Sequence, residues 1–177
     1  EVLLPSDRFA ISIDSGEHHT CAVLDNGEMY CWGRQNFGNM GNGKGNIASN
    51  SADFKIKIPI RVEIPLDRSV SFMGVGEYHG CAVMTDNSLW CWGLNDHGEI
   101  GLGNTSSSNS EIIRKPMEID MQFYNPIIAI DLGPESTCTL HDDGLLNCWG
   151  ENQYGEIGNG LIGGDTSSPV PIQLDNG

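Results

Sequence analysis

Apolar residues in this chain come in short alternating runs separated by Gly, Asn, Asp and Ser, a pattern of strands and tight turns with little helix. The clearest unit is a hairpin. Residues 21–24 read as an alternating strand, Asp25-Asn26-Gly27 as a turn, and residues 28–31 as the returning strand. A three-residue loop closed by a bulge needs a left-handed backbone at its third position. Gly27, Asn87 and Gly144 stand there in three successive copies. This sets the register: Leu24 faces Glu28, Val23 faces Met29 and Cys21 faces Cys31. Opposed Cβ atoms in an antiparallel pair lie ~4.5–5.5 Å apart. A disulfide wants roughly 3.5–4.5 Å, so closure fits best at a non-hydrogen-bonded pair. The expected pairs are Cys21–Cys31, Cys81–Cys91 and Cys138–Cys148.

The hairpin belongs to a larger repeat. Residues 15–43, 75–103 and 132–160 align without gaps, each with Cys, nine residues, then Cys-Trp-Gly. Each copy is preceded by a short apolar strand, at 10–13, 70–73 and 126–132. The expected division is 1–60, 61–117 and 118–177, the last also carrying the first strand of a further repeat. Residues 169–174 align with 59–64, and 61–68 align with 1–8, so the chain is expected to start and stop within one strand of the repeat. Residues 44–60 and 104–116 are polar, Ser- and Asn-rich surface loops.

Charge and cysteine count narrow the function classes. The formal net charge is −15, from 24 acidic and 9 basic residues. The basic residues form no run, which argues against a nucleic-acid partner. No stretch approaches the ~20 apolar residues of a membrane helix. Six cysteines in three hairpin pairs point to an oxidising compartment, hence to an extracellular or cell-surface location. Structural zinc is disfavoured, because nine intervening residues exceed the usual two-to-four spacing.

These residues resemble the regulator of chromosome condensation repeat. The match is Gly16, His19, Ala22, Trp32, Gly33, Gly38, Met40 and Gly41, and, in the second copy, Gly76, His79, Ala82, Trp92, Gly93, Asn95, Gly98, Ile100 and Gly101. The third copy supplies Gly133, Trp149, Gly150, Asn152, Gly155, Ile157 and Gly158. It departs at Ser136 and Thr139, and Gln35 departs in the first. The paired cysteines resemble the extracellular and bacterial members of that family. The resemblance implies an all-β fold of four-stranded antiparallel propeller blades. Three copies are fewer than the usual ring, typically about 4–8 blades. The expectation is a partial propeller, or part of a larger or assembled ring, with two apolar blade faces uncovered.

Few residues suggest chemistry. His18, His19, Tyr78 and His79 follow the glycine that opens each hairpin; a polar or metal-binding ring near the axis is weighed against histidines that bond local backbone, and the latter is preferred because the third copy has Glu135 and Ser136. Trp32, Trp92 and Trp149 read as packing residues. Trp90 replaces Tyr30 and Asn147 at a variable place and is the candidate interaction residue. Asp96, Glu99, Asp142 and Asp143 are turn acids without the ligand alternation of a calcium loop; no cofactor is expected, and calcium held between loops stays open. Asn104-Thr105-Ser106 is a glycosylation sequon, meaningful for a eukaryotic secreted chain. No nucleophile elbow, zinc-protease or phosphate-loop motif occurs. The chain reads as a non-catalytic module for protein–protein interaction, with loops 44–58 and 104–116 as contacts. The alternatives are a subunit that self-assembles into a ring or filament, and a carbohydrate-active enzyme on a propeller scaffold.

Overall fold

A computed structural model describes residues 2–45, 55–106, 112–121 and 125–173. The first sheet comprises β1 (Ala10–Ser15), β2 (His19–Leu24), β3 (Met29–Arg34) and β4 (Lys55–Arg61). The second comprises β5 (Val70–Val75), β6 (His79–Met84), β7 (Leu89–Gly93) and β8 (Ile113–Ile119), and the third β9 (Ile127–Leu132), β10 (Ser136–His141), β11 (Leu146–Gly150) and β12 (Thr166–Ile172). Each sheet is antiparallel and follows chain order. The first strands of successive sheets adjoin, β1 with β5 and β5 with β9, so the sheets radiate as propeller blades. β12 hydrogen-bonds to β11 as the outer strand of the third blade.

The hairpin register is the one the turn residues require. Val23 pairs with Met29, and Cys21 with Cys31. The third turn positions are left-handed, with φ of 78° at Gly27, 70° at Asn87 and 86° at Gly144. All three cysteine pairs are disulfides, each with Cα atoms 4.1 Å apart, as suits a closely spaced pair. The hairpin-opening glycines serve blade docking. A Cβ at Gly16 would sit 1.9 Å from the carbonyl oxygen of Gly76 in the next blade, and one at Gly76 would sit 2.8 Å from that of Gly133. Backbones meet there without room for a side chain.

Two core clusters lie between blades. The first joins Val23, Met29 and Met40 of blade 1 to Met73, Met84 and Trp92 of blade 2. The second joins Val83, Leu89 and Ile100 of blade 2 to Ile127 and Trp149 of blade 3. The middle blade is therefore covered on both sides and the outer blades on one. Val23 and Val83 are 0% and 1% exposed, whereas their counterpart Leu140 is 36% exposed on the open flank of blade 3. Ile13 is 67% exposed on the open flank of blade 1, against 6% for its counterpart Met73. The two uncovered apolar flanks expected of a three-copy wedge are present.

Candidate functional site

The two ends of the wedge differ in what they offer. At one end the β2–β3 turns dock against the linker of the following blade. The Val70 amide donates to the Gly27 carbonyl at 2.9 Å, and the Ile127 amide donates to Asn87 Oδ1 at 2.8 Å. At the other end the β1–β2 turns meet the start of the β3–β4 loops. Three equivalent backbone bonds hold them: Arg34 to His18 (2.8 Å), Leu94 to Tyr78 (3.1 Å) and Glu151 to Glu135 (2.9 Å), the first-named amide donating each time. This scaffold is constant, and the side chains it carries are not.

At the junction of blades 1 and 2 the end is aromatic. Phe37 meets Tyr78 edge-on with ring centroids 5.0 Å apart, and His18 lies 6.2 Å from Tyr78. At the junction of blades 2 and 3 the counterparts of Phe37, Tyr78 and Leu94 are His97, Glu135 and Glu151. His97 Nδ1 lies 2.8 Å from Asp165 Oδ2, and its Nε2 lies 3.4 Å from Glu135 Oε2. Burial opposes charge on His97, but the Asp165 hydrogen bond and the nearby carboxylates outweigh it and raise its pKa. Burial raises Glu135 as well, although His97 counters part of the effect. Beneath them Glu99 is fully buried, and desolvation pushes its carboxyl up to about 7. Nearer the axis, a cleft of about 220 Å³ is lined by Glu17, Glu77 and the glycines of the three β1–β2 turns.

The residues singled out from sequence are dispersed. His19 and His79 lie in the interior, not on the rim of the axis. Burial lowers His19 to about 4, helped by neighbouring His18, and lowers His79 to about 3, helped by His19. His79 Nε2 lies 3.0 Å from Thr137 Oγ1, and both ring nitrogens of His19 lack a partner. Trp92 and Trp149 are fully buried. Trp90 is half-buried beside the first core cluster; its indole donates to Ser88 Oγ at 3.0 Å, with the Arg68 guanidinium 5.9 Å from the ring centroid. Asn104 is exposed, and its main-chain carbonyl accepts from Asn95 Nδ2 at 2.9 Å. Of the expected surface loops that hold the candidate contacts, residues 55–60 and 113–116 are not loop but the outer strands β4 and β8, because they complete the hydrogen bonding of β3 and β7, and residues 46–54 and 107–111 lie outside the described residues. Asp143 caps its own turn, accepting from the Leu145 amide at 3.0 Å. No helix among the described residues is long and apolar enough to cross a membrane.

Sequence reasoning missed the cluster around His97. Its members come from three loops and stand far apart in the chain. The available signal was that three repeat positions switch together, from Phe37, Tyr78 and Leu94 to His97, Glu135 and Glu151.

The chain is similar to known repeat proteins along nearly all its length. It is 31% identical to the ultraviolet-B receptor UVR8 of Arabidopsis thaliana over 165 residues, covering 93% of this chain and 34% of the receptor. It is 26% identical to the mouse (Mus musculus) E3 ubiquitin-protein ligase HERC2 over 86% of this chain and 3% of the ligase. In structure it resembles human WBSCR16 (TM-score 0.78, 20% identity, 97% of this chain and 39% of that one). It also resembles Prp20p of Saccharomyces cerevisiae (TM-score 0.79, 19% identity, 94% and 39%). The chain thus spans a third to two-fifths of the receptor and of the two solved structures, and 3% of the ligase. Models of the regulator of chromosome condensation (RCC1) repeat match residues 10–39, 70–99 and 127–156, and also residues 26–83 and 86–140. With three matched copies on three four-stranded blades, the chain belongs to the regulator of chromosome condensation repeat family.

Proposed function

We propose that this chain is a non-catalytic, extracellular or cell-surface propeller segment that binds a protein partner through the end carrying the β1–β2 turns and β3–β4 loops. One observation carries the reading. A fixed backbone scaffold presents an aromatic group, Phe37 with Tyr78, at one junction and a charged group, His97 with Glu135, at the next. Side chains that vary on a constant frame are what a recognition surface requires. The opposite end is taken up by blade-to-blade bonds. Placement outside the reducing cytosol is supported by six cysteines held in three disulfides, with no free thiol. Replacing residues 44–54 and 104–112, which stop short of β4 and β8, each by a short Gly/Ser segment, and separately Phe37 and Tyr78 by Ala, should leave the fold intact and abolish partner capture. Capture that survives all three changes would refute the assignment.

A second reading, self-assembly or continuation into a larger ring, is favoured by the open flanks. Ile13 and half-buried Trp32 stand on one, and Leu140 on the other. Each flank has the form that its internal counterpart uses to dock a blade. Light scattering over a dilution series separates the readings: a mass independent of concentration excludes self-assembly.

A further inference from the structure

We propose that His97, Glu135 and Glu151 form a binding site for one divalent transition-metal cation of the zinc class at the junction of blades 2 and 3. One ligand atom from each residue lies within 4.8 Å of the other two, and all three side chains are half-exposed, so an ion can enter. The histidine is held in the orientation a ligand needs. Its Nδ1 faces Asp165 Oδ2 at 2.8 Å, and Asp165 Oδ1 in turn accepts the Asn152 amide at 3.2 Å. An ionised carboxylate only accepts, so the proton sits on Nδ1. In the neutral ring Nε2 then presents its lone pair toward Glu135. A carboxylate behind the imidazole is the usual support of a metal-bound histidine.

Glu99 supplies a separate observation. It is fully buried under the cluster, its Oε2 takes the His97 amide at 2.9 Å, and its Oε1 has no hydrogen-bond partner. It lies within electrostatic reach of the His97 ring and of Glu135. Four carboxyl groups therefore gather around one imidazole, with Glu135 hydrogen-bonded to Glu151. A nitrogen ligand favours zinc-class ions, whereas calcium prefers six to eight oxygens. Three protein ligands leave at least one position for water or for an atom of another molecule. The cysteines, all in disulfides, do not compete. The preceding junction is an internal control, because Phe37, Tyr78 and Leu94 offer no such set.

The inference does not depend on the protein-binding reading and is tested without a partner. Zinc chloride is titrated calorimetrically into the oxidised chain, and cobalt(II) absorption reports the ligand field. The expected result is one saturable equivalent, cobalt bands in the visible, and a thermal midpoint raised by zinc. Glu135→Gln with Glu151→Gln should abolish all three, and Asp165→Asn should weaken binding about 10–100-fold. Near-UV dichroism checks that the variants are folded. In the unaltered chain, zinc should also protect His97 from diethyl pyrocarbonate, a readout that needs no variant. Absence of saturable binding, binding unchanged in the double variant, or calcium displacing zinc at equal concentration would each overturn the proposal.

Discussion

Trp92 donates its indole N–H to the main-chain carbonyl of Asn39 at 2.9 Å, across the junction between the first two blades. Asn39 sits in the turn that opens the β3–β4 loop of blade 1, so the bond ties a strand of one sheet to a loop of the one before. The next junction repeats it, with Trp149 donating to the Glu99 carbonyl at 2.9 Å. Trp32, the third member of the set, stands half-buried on the open flank, and among the described residues its indole has no such cross-blade bond. One residue type thus has two roles, decided by whether a blade precedes it.

Trp92→Ala should cost about 3–5 kcal/mol in urea unfolding, the range for emptying a large core site. Trp92→Phe should cost about 1–3 kcal/mol, because it keeps most of the ring and strands the Asn39 carbonyl. Trp32→Ala should cost less than half as much as Trp92→Ala. Equal losses at the two positions would show that burial at the junction is not the cause.

Gly80→Thr should stabilise the first junction. At the second, the Thr137 hydroxyl stands 3.0 Å from His79 Nε2 and donates to the Glu99 carbonyl at 2.9 Å. At the first, His19 faces the counterpart Gly80, which has no side chain, and both its ring nitrogens are orphaned. A Cβ there would meet the Trp92 ring at 3.0 Å, which asks the indole to move by a few tenths of an ångström. The expected gain is about 1 kcal/mol, from giving a buried polar group its partner. It should vanish in a His19→Phe background, and a gain that persists there would assign it to backbone entropy.

Stability should fall on mild acidification. His19 and His79 titrate near about 4 and about 3 when folded, against 6.5 in the unfolded chain. Folded values below unfolded ones mean that stability is present above pH 6.5 and is lost as pH falls toward the folded values. Glu99 opposes this, because its folded value of about 7 exceeds the ordinary 4.5, so the fold takes up one proton of its own. Two lowered imidazoles outweigh the raised carboxyls of Glu99 and Glu135, so stability falls as pH drops from about 6 to about 4.5. Urea titrations across that window check it, and a flat or rising profile would contradict the neutral buried histidines.

Reduction should proceed from the outside inward. Cys138 is half-buried on the open flank of blade 3, whereas Cys21, Cys31, Cys81 and Cys91 are at most 1% exposed. Limiting reductant followed by alkylation and mass analysis should label Cys138 and Cys148 first. Loss of each bridge should cost about 2–3 kcal/mol on the chain-entropy account. Simultaneous labelling of all six cysteines would mean that reduction follows global unfolding.

Much was decided locally. The turn triplets ending in Gly27, Asn87 and Gly144 set the hairpin register through their backbone preference, and the register alone put Cys21 opposite Cys31. Repetition then set the number of blades, because each copy is one strand-turn-strand unit that cannot bury its faces alone. Tertiary structure decided what depends on which blade lies next to which. It buried Trp92 and left Trp32 half-exposed, orphaned His19 while partnering His79, and brought His97, Glu135, Glu151 and Asp165 together from three loops. Hairpin geometry acts between residues a few positions apart and can be read along the chain, whereas burial and charge clustering arise between blades and exist only once the sheets have docked.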